Sequence, residues 1–221
     1  MGLVEDITDW FLDTFEQAEE LETLCRLRLQ NRHLKLVSGG QKDSSLSNKI
    51  IETKLKSDPA FDLIYSANTK MAHNQEGTNE FLVNDNSKLL EKLALHLARH
   101  LGSEGIRLSG NFIYKHKDYM GWHTNSDDNT TKIYITYTLD EGKSSFDYMD
   151  RDRNIVVTPD RKGFTVRKFF TGNTPDTIFW HRVRSFTYRL SLGFTEWKPV
   201  DLEGFEEGEV KKITWTDPFY K

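Results

Sequence analysis

Lys132-Ile133-Tyr134-Ile135-Thr136-Tyr137-Thr138-Leu139 is built almost wholly from β-branched and aromatic residues with polar ones interleaved, and it decides the fold class. Such residues suit a pleated, half-buried strand, where successive side chains point to opposite faces. The same character recurs over 106–115, 144–149, 154–158, 164–170, 177–183 and 186–196. Turn residues separate these runs: Asp140-Glu141-Gly142, Pro159-Asp160-Arg161-Lys162-Gly163 and Gly172-Asn173-Thr174-Pro175. Short strands at this spacing predict a β-sandwich or barrel.

Upstream of residue 106 the period is helical. Val4, Ile7, Trp10, Phe11, Phe15 and Leu21 recur every three or four residues, with carboxylates early and cations late, which predicts a helix over 4–33. Ser38-Gly39-Gly40 stops it, and a loop runs to Asn48. A short helix is expected over 47–56, before Asp58-Pro59, and a loop at Asn74-Gln75-Glu76-Gly77. A second long helix covers about 86–101, carried by Leu89, Leu90, Leu93, Leu95 and Leu97 and stopped by Gly102. His96 and His100 sit one turn apart on it, a metal-binding spacing, but no third ligand is near and they are read as ordinary histidines. The expected organisation is one domain: a helical buttress over 1–105, a β core over 106–197, and a tail over 198–221 that packs back through Trp215, Phe219 and Tyr220.

Net charge is −4, so bulk electrostatics does not point to nucleic acid, although it does not exclude it. Residues 141–198 are the basic exception, with 11 Lys/Arg against 7 Asp/Glu. Arg151, Arg153, Arg161, Lys162, Arg167, Lys168, Arg182 and Arg184 make either a solvated strand face or a groove for an acidic substrate. The single Cys25 excludes an intrachain disulfide. It falls in the pattern Leu21, Leu24, Cys25, Leu27 and is read as core. No apolar run reaches the roughly 20 residues that span a bilayer. The acidic N-terminus (Glu5, Asp6, Asp9) is unlike a signal peptide, so the expected location is cytoplasmic.

Two fragments carry chemistry. In Gly121-Trp122-His123-Thr124-Asn125, His123 and Asn125 are two apart, and in an extended segment both face one way. In Trp180-His181 through Arg189-Leu190-Ser191, Arg189 and Ser191 share a face while Leu190 and Leu192 point into the other layer. His181 and Arg189 are expected on a strand pair joined by a turn near Ser185. An Arg flanked by Tyr188, Leu190 and Leu192 is expected to be buried, and a buried guanidinium needs an anion.

Together, His123-x-Asn125, His181 and Arg189-x-Ser191 resemble the signature of the Fe(II)/2-oxoglutarate-dependent oxygenases. The likeness spans about residues 106–196. It is to the prolyl-hydroxylase-like branch, and especially to small oxygenases of tailed phages and some bacteria. It implies a double-stranded β-helix, or jelly roll, with N-terminal helices behind one sheet. The metal ligands implied are His123, Asn125 and His181, one face of an iron site whose other face stays open for co-substrate and dioxygen. Arg189 and Ser191 would hold the far carboxylate of 2-oxoglutarate, with Tyr114 and Tyr134 as further co-substrate contacts. Asn125 departs from the family's usual carboxylate, and an amide oxygen is a neutral, weaker ligand. Asp127, four residues after His123, is the alternative third ligand.

The activity implied is a dioxygenase that hydroxylates a substrate, a peptidyl side chain by the prolyl-hydroxylase likeness, with Fe(II) and 2-oxoglutarate. Two alternatives stand beside it: an oxygenase acting on a nucleobase or small metabolite, and a cupin-like binding module that has lost turnover through Asn125. An intact Arg189-x-Ser191 argues against the second alternative.

Overall fold

The computed structural model describes residues 4–30, 45–57, 73–74, 76–78, 87–125, 129–172, 174 and 176–197. The elements are β1 (Val4–Asp6), α1 (Thr8–Thr14), α2 (Ala18–Gln30), α3 (Ser45–Ser57), β2 (His73–Asn74), β3 (Glu76–Thr78), α4 (Ser87–Leu101) and β4 (Gly105–Tyr114). There follow β5 (Tyr119–His123), β6 (Thr130–Thr138), β7 (Ser144–Met149), β8 (Ile155–Pro159), β9 (Gly163–Thr171), β10 (His181–Ser185) and β11 (Arg189–Trp197). The tail residues Trp215, Phe219 and Tyr220 lie outside the described residues, as does Asp127.

One sheet has the order β1-β9-β6-β11-β4-β3 and the other β2-β5-β10-β7-β8, with every pair antiparallel. Strands β4 to β11 alternate between the two sheets in chain order, except where β7 and β8 form a hairpin. Numbered one to eight, they stack as 6-3-8-1 over 2-7-4-5, which is the double-stranded β-helix. The strand pairing thus bears out the mainly β jelly-roll expectation.

Alternation divides the interior from the helix side. Ile133, Ile135 and Tyr137 of β6, Phe164 and Val166 of β9, and Leu190, Leu192 and Phe194 of β11 join Phe11, Leu21, Cys25, Leu93 and Leu97 in one core. That core clamps α1, α2 and α4 onto the outer face of the first sheet by the burial of apolar area, the main stabilising term in folding. The second core lies between the sheets and is mostly aromatic: Tyr114, Phe146, Tyr148, Phe169 and Phe179, with Val183. A third, smaller cluster (Leu55, Trp122, Met149, Trp180) fixes α3 on the outer face of the second sheet.

Several expectations are corrected. The helix expected over 4–33 is broken into β1, α1 and α2. Val4–Asp6 pairs with β9, and the Asp6 carboxylate accepts hydrogen bonds from the Thr8 amide (3.0 Å) and hydroxyl (2.5 Å), starting α1 two residues later. Phe15 is extended and ends α1. Leu27 and Leu95 are 53% and 59% exposed, off the apolar stripes of α2 and α4, and Leu29 takes the core position in α2. Where a loop is expected at 74–77, His73–Asn74 pairs with β5 and Glu76–Thr78 with β4. The strand expected over 177–183 begins only at His181, because Asp176 and Thr177 form a turn. The turn near Ser185 does not join a hairpin. β10 and β11 lie in opposite sheets, so His181 and Arg189 reach the interior from opposite walls.

Of the basic stretch, most cations meet carboxylates of this chain. Arg161 pairs with Asp6 and Asp9, Lys168 with Glu5, Arg167 with Asp160, Arg182 with Glu52 and Asp147, and Arg184 with Asp147. That favours a structural reading of those charges. His96 and His100 stack on Trp10, with ring centroids 4.8 and 3.8 Å away, and His96 Nε2 bonds the Thr14 hydroxyl at 3.1 Å. No group of three metal-binding side chains of the His, Cys, Asp or Glu type is present among the described residues. No described helix is long and apolar enough to cross a membrane.

Candidate active site

His123 ends β5 and His181 opens β10, and the two are direct antiparallel partners. Their ring centroids are 4.0 Å apart. Both would not face inward on regular strands with the neighbours they have. Met120 pairs with Val183 and packs in the interior, and His123 is three residues on, a spacing that normally changes face. A β-bulge resolves this, since three steps along β5 match two along β10. Gly121 and Trp122 take up the extra residue, so Trp122 turns outward to the α3 cluster and His123 inward.

The imidazoles are held from behind. His123 Nδ1 lies 2.8 Å from the Gly121 carbonyl oxygen, and His181 Nδ1 lies 3.1 Å from that of Phe179. A carbonyl only accepts, so in each ring Nδ1 carries the proton, which in the neutral ring leaves Nε2 to present the lone pair that binds metal. Burial, and next the adjacent His123, hold His181 well below the ordinary value of 6.5, so its ring is neutral. Phe146 and Phe179 stack on His181 at 5.2 and 5.4 Å, with Phe169 at 5.5 Å, closing its surroundings with apolar surface.

Asn125 joins this pair. Its Nδ2 lies 3.2 Å from His181 Nε2 and donates to the Tyr134 hydroxyl at 2.9 Å. Tyr134 stands on the interior face of β6, and burial pushes its hydroxyl up to about 12, which keeps it neutral and able to donate or accept. Gly193 on the neighbouring β11 makes room for its ring: a Cβ there would stand 3.1 Å from Tyr134 Cε1.

Arg189, fully buried, enters from the first sheet. Nε donates to Asp160 Oδ2 at 2.9 Å, and Nη2 to the Thr136 hydroxyl at 2.9 Å. Nη1 is buried with no hydrogen-bond partner among the described residues. Tyr114, its cross-strand neighbour, lies with its ring centroid 5.2 Å from the guanidinium carbon. Burial pushes the Tyr114 hydroxyl up. Ser191 is buried two positions on, on the same strand face.

Asp160 was unforeseen as part of the site. Asp160 Oδ1 accepts from Arg167 at 2.5 Å and Oδ2 accepts from Ser144. Burial alone would raise its carboxyl, but Arg189, Arg167 and the Ser144 hydrogen bond hold it down at about 2. The anion that a buried guanidinium needs is thus supplied in part by the chain itself, through Asp160. In sequence, Asp160 reads as a turn residue. The signal that could have found it is that Arg167 and Arg189 both fall on interior positions of strands.

The structure thus gathers His123, Asn125, His181 and Tyr134 in one cluster, and Arg189, Ser191 and Tyr114 in another, all on interior faces. A cleft of about 380 Å³ lies elsewhere, over the outer face of the second sheet between Glu52, Lys117, Arg182 and Phe186.

No family model matches the chain, and no curated protein does either. Solved structures similar to it include a Pseudomonas putida prolyl-4-hydroxylase, at 14% identity over 83% of this chain and 89% of that one, with a TM-score of 0.46. A 2OG-Fe(II) oxygenase family oxidoreductase from Burkholderia pseudomallei is 15% identical over 51% of this chain and 55% of that one, with a TM-score of 0.38. A Trichoplax adhaerens prolyl hydroxylase, in complex with a hypoxia inducible factor oxygen degradation domain peptide, is 11% identical over 85% and 92%, with a TM-score of 0.31. The strand order, not these likenesses, identifies the double-stranded β-helix.

Proposed function

We propose that this protein is an Fe(II)- and 2-oxoglutarate-dependent dioxygenase that hydroxylates its substrate, with a peptidyl side chain as the substrate class that the prolyl-hydroxylase-like resemblance implies. The observation that supports this most is the pairing of two unlike sites on facing walls of one interior. One is a pair of facing imidazoles, each bound through Nδ1 to a backbone carbonyl, with an adjacent amide. The other is a buried guanidinium with one vacant donor edge.

The donor set fits Fe(II). Imidazole and amide oxygen both ligate this metal, and the backbone carbonyls behind each ring fix its orientation, as a metal-ligating histidine requires. His123 and His181 would hold the ion through Nε2 and Asn125 through Oδ1. Because Nδ2 now faces His181, the amide has to turn over about its Cβ–Cγ bond. Tyr134 allows this, since its hydroxyl accepts from Nδ2 in one state and donates to Oδ1 in the other.

With Fe(II) bound, 2-oxoglutarate and dioxygen give succinate and carbon dioxide while a substrate C–H bond becomes C–OH. Arg189 Nη1 holds the distal carboxylate, aided by Ser191 and bordered by the Tyr114 ring. Phe146, Phe169 and Phe179 exclude water behind His181.

Succinate formation from 2-oxoglutarate, strictly dependent on added Fe(II) and dioxygen, tests the reading. Absence of both turnover and 2-oxoglutarate binding in the metal-loaded protein sinks it.

A further inference from the structure

We infer that Asp160 is a specificity-determining residue for the co-substrate: it limits the anion taken by Arg189 to a single negative charge, approaching along the Nη1 edge. This rests on the co-substrate reading above, which places the carboxylate at Nη1, and adds what charge that edge accepts and which residue sets the limit.

A guanidinium presents five N–H donors around a planar fork. Here Asp160 takes Nε and Thr136 takes Nη2, while Nη1 has no partner among the described residues. Arg167 cannot stand in for Arg189, because it is spent on Asp160 Oδ1 and on the carbonyls of Thr158 and Pro159. The arginines and Asp160 are all at most 3% exposed. Two buried cations and one buried anion leave one uncompensated positive charge, and the vacant donor marks where it is offered. One carboxylate neutralises the cluster. A dianion would leave a net negative charge in a low-dielectric interior, where unpaired charge is most costly. Asp160 itself touches the ligand only through Arg189, so its role is positioning and charge balance.

Three 2-oxo acids with the same backbone separate charge from shape: 2-oxoglutarate, 2-oxo-4-sulfobutyrate and 2-oxo-4-phosphonobutyrate. The last two share a tetrahedral end group and differ by one charge at alkaline pH. They are titrated calorimetrically into the Fe(II)-loaded protein without oxygen. The wild type should bind the sulfonate more tightly than the phosphonate, by roughly tenfold. Asp160→Asn should erase or reverse that preference. Ser144→Ala, which keeps the charge and removes one hydrogen bond, should preserve it. Arg167→Gln brings the cluster to zero net charge, so it should weaken all three ligands and the phosphonate most, and it decides the matter if Asp160→Asn does not fold. Equal sulfonate and phosphonate affinity in the wild type overturns the inference, as does failure of the phosphonate to gain on the sulfonate in folded Asp160→Asn. The co-substrate reading survives either result if 2-oxoglutarate still binds. If 2-oxoglutarate does not bind the wild type, that reading fails and the inference with it.

Discussion

His123 and His181 face each other across one antiparallel strand pair, ring to ring at 4.0 Å, each anchored through Nδ1 to a carbonyl two residues before it. The Nε2 atoms are thereby aimed by backbone rather than by flexible side-chain partners. His123→Ala or His181→Ala should abolish Fe(II) binding and succinate formation, because a minimal ligand set has no replacement. Unchanged succinate production in either variant would rule out the metal assignment.

Arg189→Lys should weaken 2-oxoglutarate binding at least tenfold, since a point charge on a flexible stem cannot reproduce bonds to Asp160 and Thr136 while offering a third donor. Arg189→Met should also destabilise the fold by about 3–5 kcal/mol, because Asp160 loses one of its two buried cationic partners. Calorimetry and urea unfolding read the two effects separately. Equal 2-oxoglutarate affinity in Arg189→Lys would make Arg189 a purely structural cation.

Asn125→Asp should tighten Fe(II) binding by adding a negative charge at the ligand position. It should also destabilise the metal-free site, since a carboxylate cannot donate to the His181 Nε2 lone pair as Nδ2 can. Asn125→Ala should lower metal affinity, and Asp127→Ala should leave it nearly unchanged. Chelator competition on all three variants at one pH compares them. Loss of metal in Asp127→Ala but not in Asn125→Ala would move the third ligand to Asp127.

Acid should expose Asp160. Its carboxyl is held at about 2 against an ordinary 3.8, so the folded state favours the ionised form. The stabilisation is present above the unfolded value and is lost as pH falls from about 4 through 2, amounting to roughly 2 kcal/mol. Urea midpoints measured across that window should fall more steeply in the wild type than in Asp160→Asn. Parallel curves would show that Asp160 carries no linked proton.

The helical layer is as strongly tied. Phe11 is fully buried, 5.3 Å from the Phe15 ring and 5.6 Å edge-on to Phe164 of β9. Phe11→Ala should cost about 3–5 kcal/mol in chemical denaturation. A loss within 1 kcal/mol, a small fraction of typical domain stability, would show that α1 is not integral to the fold.

The β core was legible in sequence because period two is a local signal, and so was the burial of Arg189 between apolar neighbours. The motif spacing pointed to His123, Asn125, His181 and Arg189, and the structure brings their side chains inward. What failed was long-range. Val4–Asp6 has helical periodicity but is recruited as an edge by β9, and nothing in residues 4–6 states that an edge is available. β5 is short, carries a glycine and contains a bulge, so no strand was expected at 119–123. Asp160 sits in a segment whose composition is that of a surface turn. Only the folding of two arginines toward it makes it interior.

β11 carries two alternating sets of side chains, Leu190, Leu192 and Phe194 toward the helices, and Arg189 and Ser191 toward the interior. A one-residue slip would exchange the sets, sending the guanidinium into the helix-side core and leucines toward the histidines. The apolar grip of α1, α2 and α4 therefore acts as a reading frame for the strand. The phase of the strand, fixed from the helix side, is what holds the arginine on the interior face.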